Sequence, residues 1–198
     1  MQITKKFSPN YDSRNGIKPQ FICIHIGEGS GRAIINEFAS PKTEKSSHYL
    51  INRDGSIVQF VDEILSAWAN GIVWQPSNEL IKANYLAGIS INKLSISIEA
   101  EGYASEEPTI AYYKSVSKLV KEIAERWQIL LDAEHVIPHR AIRRDKTCPG
   151  KISCGKILDM IKSAPIEFVP TPQPQWIPPK PTTSLPGWYV NFLERFKK

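Results

Sequence analysis

The run Phe21-Ile22-Cys23-Ile24-His25-Ile26 constrains the fold of this chain more than any other stretch. A short, β-branched segment that is apolar at successive positions leaves no face for water, so it reads as a buried central strand. It ends at a turn region, Gly27 to Gly31, which leaves His25 near the strand's tip. Leu94-Ser95-Ile96-Ser97-Ile98-Glu99-Ala100-Glu101 alternates instead and stops at Gly102, the pattern of a strand with one apolar face. His48–Asn52 and Ile57–Val61 flank Arg53-Asp54-Gly55-Ser56, and Asp-Gly is a strong hairpin signal because both residues tolerate positive φ. Val136-Ile137, just before His139, predicts one more short strand.

Helical spacing appears between these strands. Ala111, Val116, Leu119, Val120, Ile123, Ala124 and Trp127 fall on one face, so Thr109 to Leu131 is the main amphipathic helix. Arg32 to Ala39, stopping before Pro41, suits a short helix, and Lys151 to Lys162 a final one. Trp68 to Asn92 is aromatic, rich in Asn, Gly and Ser, and weakly periodic, so it is expected to be a long loop. Strands and helices intermixed in this way predict an α/β (α+β) fold: one domain over residues 1–164, its sheet covered by helices. From Pro165 the texture changes, giving a Pro-rich linker over 165–187. A short amphipathic segment follows over 188–198, with Trp188, Tyr189, Phe192, Leu193 and Phe196 beside Arg195, Lys197 and Lys198.

Composition limits the partners. At 198 residues, 41% hydrophobic and 23% charged, the chain can bury a core and is not expected to be disordered as a whole. Lys and Arg number 25 against 20 Asp and Glu, a net +5 that favours polyanions such as nucleic acid, anionic membranes or cell-wall polymers. The only basic cluster is Arg140, Arg143, Arg144 and Lys146, without interleaved aromatics, so nucleic-acid binding is not expected. Met1 to Phe7 carries lysines but no apolar core after them. No secretory signal or transmembrane segment is therefore expected, and the chain is read as cytoplasmic as made. Three cysteines, Cys23, Cys148 and Cys154, do not make an even-numbered disulfide framework.

His25, His139 and Cys148 offer the donor types of a catalytic zinc site, which commonly has three protein ligands and one open position. Singly, each is more often a satisfied structural histidine or a small buried thiol, and their spacing decides nothing. Cys154, in Ser-Cys-Gly, and His135 are read as non-ligands, Cys154 as a helix-start residue. Glu101 shares the alternation of Glu99 but lies at the strand's exit, where a solvated carboxylate is expected.

The ordered set of motifs is more specific than its parts. Ile22-Cys23-Ile24-His25, Ser46 to Gln59, Ala67-Trp68, Ser95 to Glu99, Pro138-His139-Arg140 and Lys146-Thr147-Cys148-Pro149-Gly150 together resemble the type-2 N-acetylmuramoyl-L-alanine amidases. That family includes phage endolysins, autolysins and anhydro-muropeptide recycling enzymes, and shares its fold with peptidoglycan recognition proteins. The resemblance spans roughly residues 18 to 162 and implies a mixed sheet flanked by helices, with Zn2+ in a surface groove. It implies that His25, His139 and Cys148 hold the zinc, that Glu99 is the catalytic carboxylate and that Lys146 assists it with charge. The substrate it implies is peptidoglycan or a muropeptide, cut between N-acetylmuramic acid and L-alanine. Trp68, His48 and Asn70 are the expected substrate contacts, although Trp68 is as readily a packing residue and His48, beginning a strand, is weighed chiefly as a groove wall or structural residue. Ser47 stands where many members have a tyrosine, which shifts weight onto Glu99. The Pro-rich tail leans toward a lysin released to the cell wall. The competing reading is a non-catalytic peptidoglycan-binding module, which Cys148 disfavours because such proteins typically lack it.

Overall fold

In the computed structural model of this chain, residues 2–163 are described. The expected Pro-rich linker and amphipathic segment lie outside them. The strands are β1 (Ile3–Lys5), β2 (Tyr11–Ser13), β3 (Phe21–Ile26), β4 (Tyr49–Ile51), β5 (Ile57–Gln59), β6 (Leu65–Ala67), β7 (Ser95–Ala100) and β8 (Val136–Pro138). The helices are α1 (Gly31–Ala39), α2 (Glu79–Leu86), α3 (Ile91–Leu94), α4 (Ile110–Trp127) and α5 (Cys154–Ser163). Six strands form one sheet in the order β1-β5-β4-β7-β3-β8, and β2 pairs with β6 separately. Only β4 and β5, joined through Asp54-Gly55, run antiparallel in the large sheet, so it is mixed as expected.

The period-2 alternation of the strands divides the core. Ile22, Ile24, Ile51, Ile96 and Ile98 face α4 and α5, meeting Val116, Leu119, Val120, Ile123, Ile157 and Leu158. Phe21 and Cys23 face the other way, packing with Ile81 of α2 and with Ile91 and Leu94 of α3. Leu50 and Val58 also face that second side, under Ile34 and Phe38 of α1. The second face therefore carries two separate apolar clusters, and the polar residues of β3 and β7 emerge between them.

Helix ends follow local chemistry. Ser30, Asn78 and Thr109 cap α1, α2 and α4 through side-chain oxygens accepting the N–H of Ala33, Ile81 and Tyr112. α4 stops where Gln128 turns left-handed at φ 59°, and α5 begins at Cys154, as its sequence context suggested. The stretch Trp68 to Asn92 differs from the expected loop, since it contains α2 and the start of α3. α2 buries only Ile81, so it presents little apolar periodicity to read.

Buried polar groups tie these layers together. Arg14 reaches inward from the end of β2, donating from Nε to the Glu63 carbonyl (2.8 Å) and from its terminal nitrogens to the carbonyls of Asn92, Lys93 and Ser95 (2.7 Å for Ser95). The Glu63 carboxylate accepts from Tyr49 Oη (2.7 Å), Trp127 Nε1 (2.6 Å) and the Arg126 guanidinium, pinning α4 to β4. Buried charges survive when fully hydrogen-bonded in this way.

Candidate metal centre

Three parallel strands deliver their ends to one place. Register pairs His25 of β3 with Glu99 of β7, and Ile24 of β3 with Pro138 of β8. His139, the residue after β8, therefore emerges beside His25, and the two ring centroids lie 4.4 Å apart. Carboxyl ends of parallel strands are where open α/β sheets place ligands. Cys148 arrives from the loop before α5, and its Sγ accepts the Ile26 N–H at 3.3 Å. One donor atom from each of His25, His139 and Cys148 lies within 4.8 Å of the other two. Tetrahedral zinc with bonds of ~2.0–2.3 Å spaces its ligand atoms by only ~3.3–3.8 Å, so this cradle is of the right order.

The walls are sewn together by backbone. Gly29 and Gly102 exchange N–H···O bonds of 3.0 and 2.9 Å, joining the loops after β3 and β7. Glu28 accepts the Ala104 N–H at 3.0 Å. Glu101 is not the solvated carboxylate expected: it accepts the N–H of Gly31 and of Arg53, each at 2.9 Å, bridging α1 to the β4–β5 turn. Gly150 packs directly on Ala104, bringing the Cys148 loop against the loop after β7.

The electrostatics suit a cation. Burial, reinforced by the adjacent His139, holds His25 well below the usual histidine range. Burial lowers His139 too, with Arg143 and Lys146 adding to the effect. Both rings are thus neutral and able to coordinate. Burial and then Glu99 push the Cys148 thiol up to about 12, so it must give up a proton to bind a metal. Burial pushes Glu99 up to about 8. Its Oε1 lies 3.9 Å from His25 Nδ1 and its Oε2 has no partner. Lys146 is exposed, and among the described residues it makes no ion pair.

The residues expected to contact substrate are placed differently from one another. His48 and Asn70 are both fully buried and offer a substrate no surface. His48 lies in the core because its ring replaces a backbone partner: Nδ1 accepts the Ser97 N–H at 3.0 Å and Nε2 lies 3.1 Å from the Leu65 carbonyl. Asn70 sits behind the two histidines, its own carbonyl 3.1 Å from His139 Nε2. Trp68 is half-buried, with its indole N–H donated to Asp12 Oδ2 at 2.8 Å. Ser47 is buried and donates to the Ser97 carbonyl at 2.7 Å.

The sequence profile of the N-acetylmuramoyl-L-alanine amidases matches residues 15–151, a span holding every residue of this site. The chain belongs to that family. It is 30% identical over 163 residues to the 1,6-anhydro-N-acetylmuramyl-L-alanine amidase AmpD of Salmonella typhimurium, covering 72% of this chain and 81% of that one. A crystal structure of a selenomethionine AmpD derivative superposes with a TM-score of 0.64 at 26% identity, covering 80% of this chain and 94% of the other. The fold is shared more widely: a Drosophila peptidoglycan recognition protein, PGRP-SD, gives a TM-score of 0.55 at 16% identity over 83% of this chain and 95% of that one. Among the described residues, no helix is long and apolar enough to cross a membrane.

Proposed function

We propose that this protein is a zinc-dependent amidase that hydrolyses the bond between N-acetylmuramic acid and L-alanine in peptidoglycan or a muropeptide. The observation that carries the reading is the convergence of His25, His139 and Cys148 within 4.8 Å, with the unpartnered carboxyl oxygen of Glu99 buried alongside. A His2Cys set with neutral imidazoles fits zinc in charge and donor type. Bound there, zinc supplies Lewis acidity toward a carbonyl and lowers the pKa of water toward ~7.

The chain's own residues do the rest. Glu99 carries the proton: a carboxyl poised at about 8 can take one from water and return it to the departing amine near neutral pH. Its burial keeps bulk water from competing for that proton. Lys146, exposed two residues before Cys148, contributes positive charge where negative charge develops on the scissile carbonyl oxygen. Asn70 and His48 take no part in substrate contact.

The experiment is hydrolysis of purified peptidoglycan and of a 1,6-anhydro muropeptide, with mass spectrometry of the products. Zinc-loaded protein is expected to release peptides with a free L-alanine amino terminus. Chelation abolishes release, and Glu99→Gln lowers it by ~10²–10⁴-fold. Zinc and peptidoglycan binding without release would instead support a recognition module.

A further inference from the structure

Asn70 sits where both imidazoles can be read at once. Its carbonyl lies 3.1 Å from His139 Nε2, and a carbonyl can only accept, so that nitrogen carries the hydrogen and Nδ1 is left bare. Its N–H is donated to Asn92 Oδ1 (3.0 Å) and its Nδ2 to Ser95 Oγ (2.8 Å), which fixes the amide's orientation. Ser95 Oγ in turn lies 3.4 Å from the Asn92 carbonyl, consistent with its accepting from Asn70. One atom of Asn70 remains unassigned, the acceptor Oδ1, which is buried without a partner. His25 Nε2 is likewise buried and unpartnered, and its ring lies 4.4 Å, centroid to centroid, from the His139 ring that Asn70 bonds. An orphaned acceptor and an orphaned ring nitrogen buried at one site become a complementary pair when that nitrogen carries the hydrogen. The other ring nitrogen of His25, Nδ1, is the one that faces Glu99.

We propose that Asn70 is a positioning residue that sets the tautomer of both zinc histidines, His139 through its main-chain carbonyl and His25 through its amide oxygen. The inference rests on the zinc reading of this site for its purpose, although not for its geometry. One residue acting on both ligands, through its main-chain carbonyl and its amide oxygen, aims both Nδ1 lone pairs at the same point. Only the His25 half depends on the side chain, so substitution separates the two halves.

The test is long-range 1H–15N correlation of the histidine rings in full-length protein, metal-free and with added zinc, together with zinc affinity by chelator competition. In the wild type, His25 and His139 are both expected as the Nε2–H tautomer even without metal. Asn70→Ala is expected to leave His139 unchanged, mix the tautomers of metal-free His25, and weaken zinc binding by ~10–100-fold. Asn70→Asp, which keeps an acceptor at that place, restores the His25 tautomer. A wild-type His25 protonated on Nδ1 overturns the proposal and needs no variant to be folded. So does an Asn70→Ala protein with an unmixed His25 tautomer and unchanged zinc affinity. A wild type that binds no zinc sinks the metal reading instead, and the metal-free tautomers still decide the role of Asn70.

Discussion

Replacing Gly150 by alanine should loosen the metal centre from two residues away. Gly150 has φ +63°, a conformation that costs a residue with a Cβ about 1–2 kcal/mol. The added Cβ would also lie 2.4 Å from Ala104 Cα and from its carbonyl oxygen, against ordinary contacts of ~3.5–4.0 Å. Those atoms are backbone in a loop held by the Gly29–Gly102 pairing, so the Cys148 loop is the part that must move, by about 1 Å. That shift strains the Arg140 N–H to Cys148 carbonyl bond (3.0 Å) and draws Sγ off the Ile26 N–H. Conformation and clash together give a loss of about 2–4 kcal/mol, or a fall of roughly 4–16 °C in melting temperature for a domain of this size. Zinc affinity should drop at least ~10-fold, since a 1 Å misplacement is large against a metal–ligand bond. Gly88→Ala is the control, because it shares a positive φ (+74°) but has open space around its Cβ. It should lose only the conformational part and keep zinc affinity. If the two variants lose equal stability and bind zinc alike, the steric argument is wrong.

Other outcomes follow from the buried polar groups. Burial, then the Arg14 charge, holds His48 down at about 3 in the folded protein, against about 6.5 when unfolded. The unfolded chain therefore binds the extra proton first. This contribution is complete above ~6.5 and is lost at roughly 1.4 kcal/mol per pH unit as pH falls toward ~3. His25 and His139 act in the same sense, while Glu99, raised by burial, acts in the opposite sense between about 4.5 and 8. Urea melts of chelated protein from pH 4 to 6.5 should show a slope flattened by about that one-proton amount in His48→Asn, and an unchanged slope would count against the assignment. Arg14→Met strands the carbonyls of Glu63, Asn92, Lys93 and Ser95 and should cost about 3–5 kcal/mol by denaturant unfolding; a loss under 1 kcal/mol would mean that water replaces it. Adding zinc at about 100 times its dissociation constant should stabilise the protein by ~2.7 kcal/mol, read as a chelator-reversible rise in melting temperature.

What could be read from the sequence was whatever depends on neighbours in the chain. The Asp54-Gly55 turn, the unbroken apolar run of β3, the alternation of β7 and the stripe of α4 each encode their structure within a dozen residues, and each was legible. β1, β2 and β6 were not, because each lacks the hairpin turn that marks β4 and β5 and exists only through a distant partner: Ile3 pairs with Ile57, and Tyr11 with Ala67, across intervals no local pattern spans. α2 carried a readable cap in Asn78 but buries one side chain, so the hydrophobic signal was too thin to call it out of the Trp68–Asn92 stretch. The candidate ligands divide along the same line. Motif resemblance could name His25, His139, Cys148 and Glu99, but nothing in the more than a hundred residues between His25 and His139 shows that β8 lies beside β3, which is what brings the rings together. His48 and Asn70, expected as substrate contacts, are both fully buried. A polar residue near a site looks like a substrate contact in one dimension, and only burial distinguishes a side chain that meets the ligand from one that holds another side chain in place. In this fold that distinction has a physical origin: β3 and β7 put His25, Ser97 and Glu99 between two apolar clusters, where a polar group left without a partner is costly. Asn70, with its carbonyl on His139 and its amide nitrogen on Ser95, holds neighbouring groups in place there rather than facing a ligand.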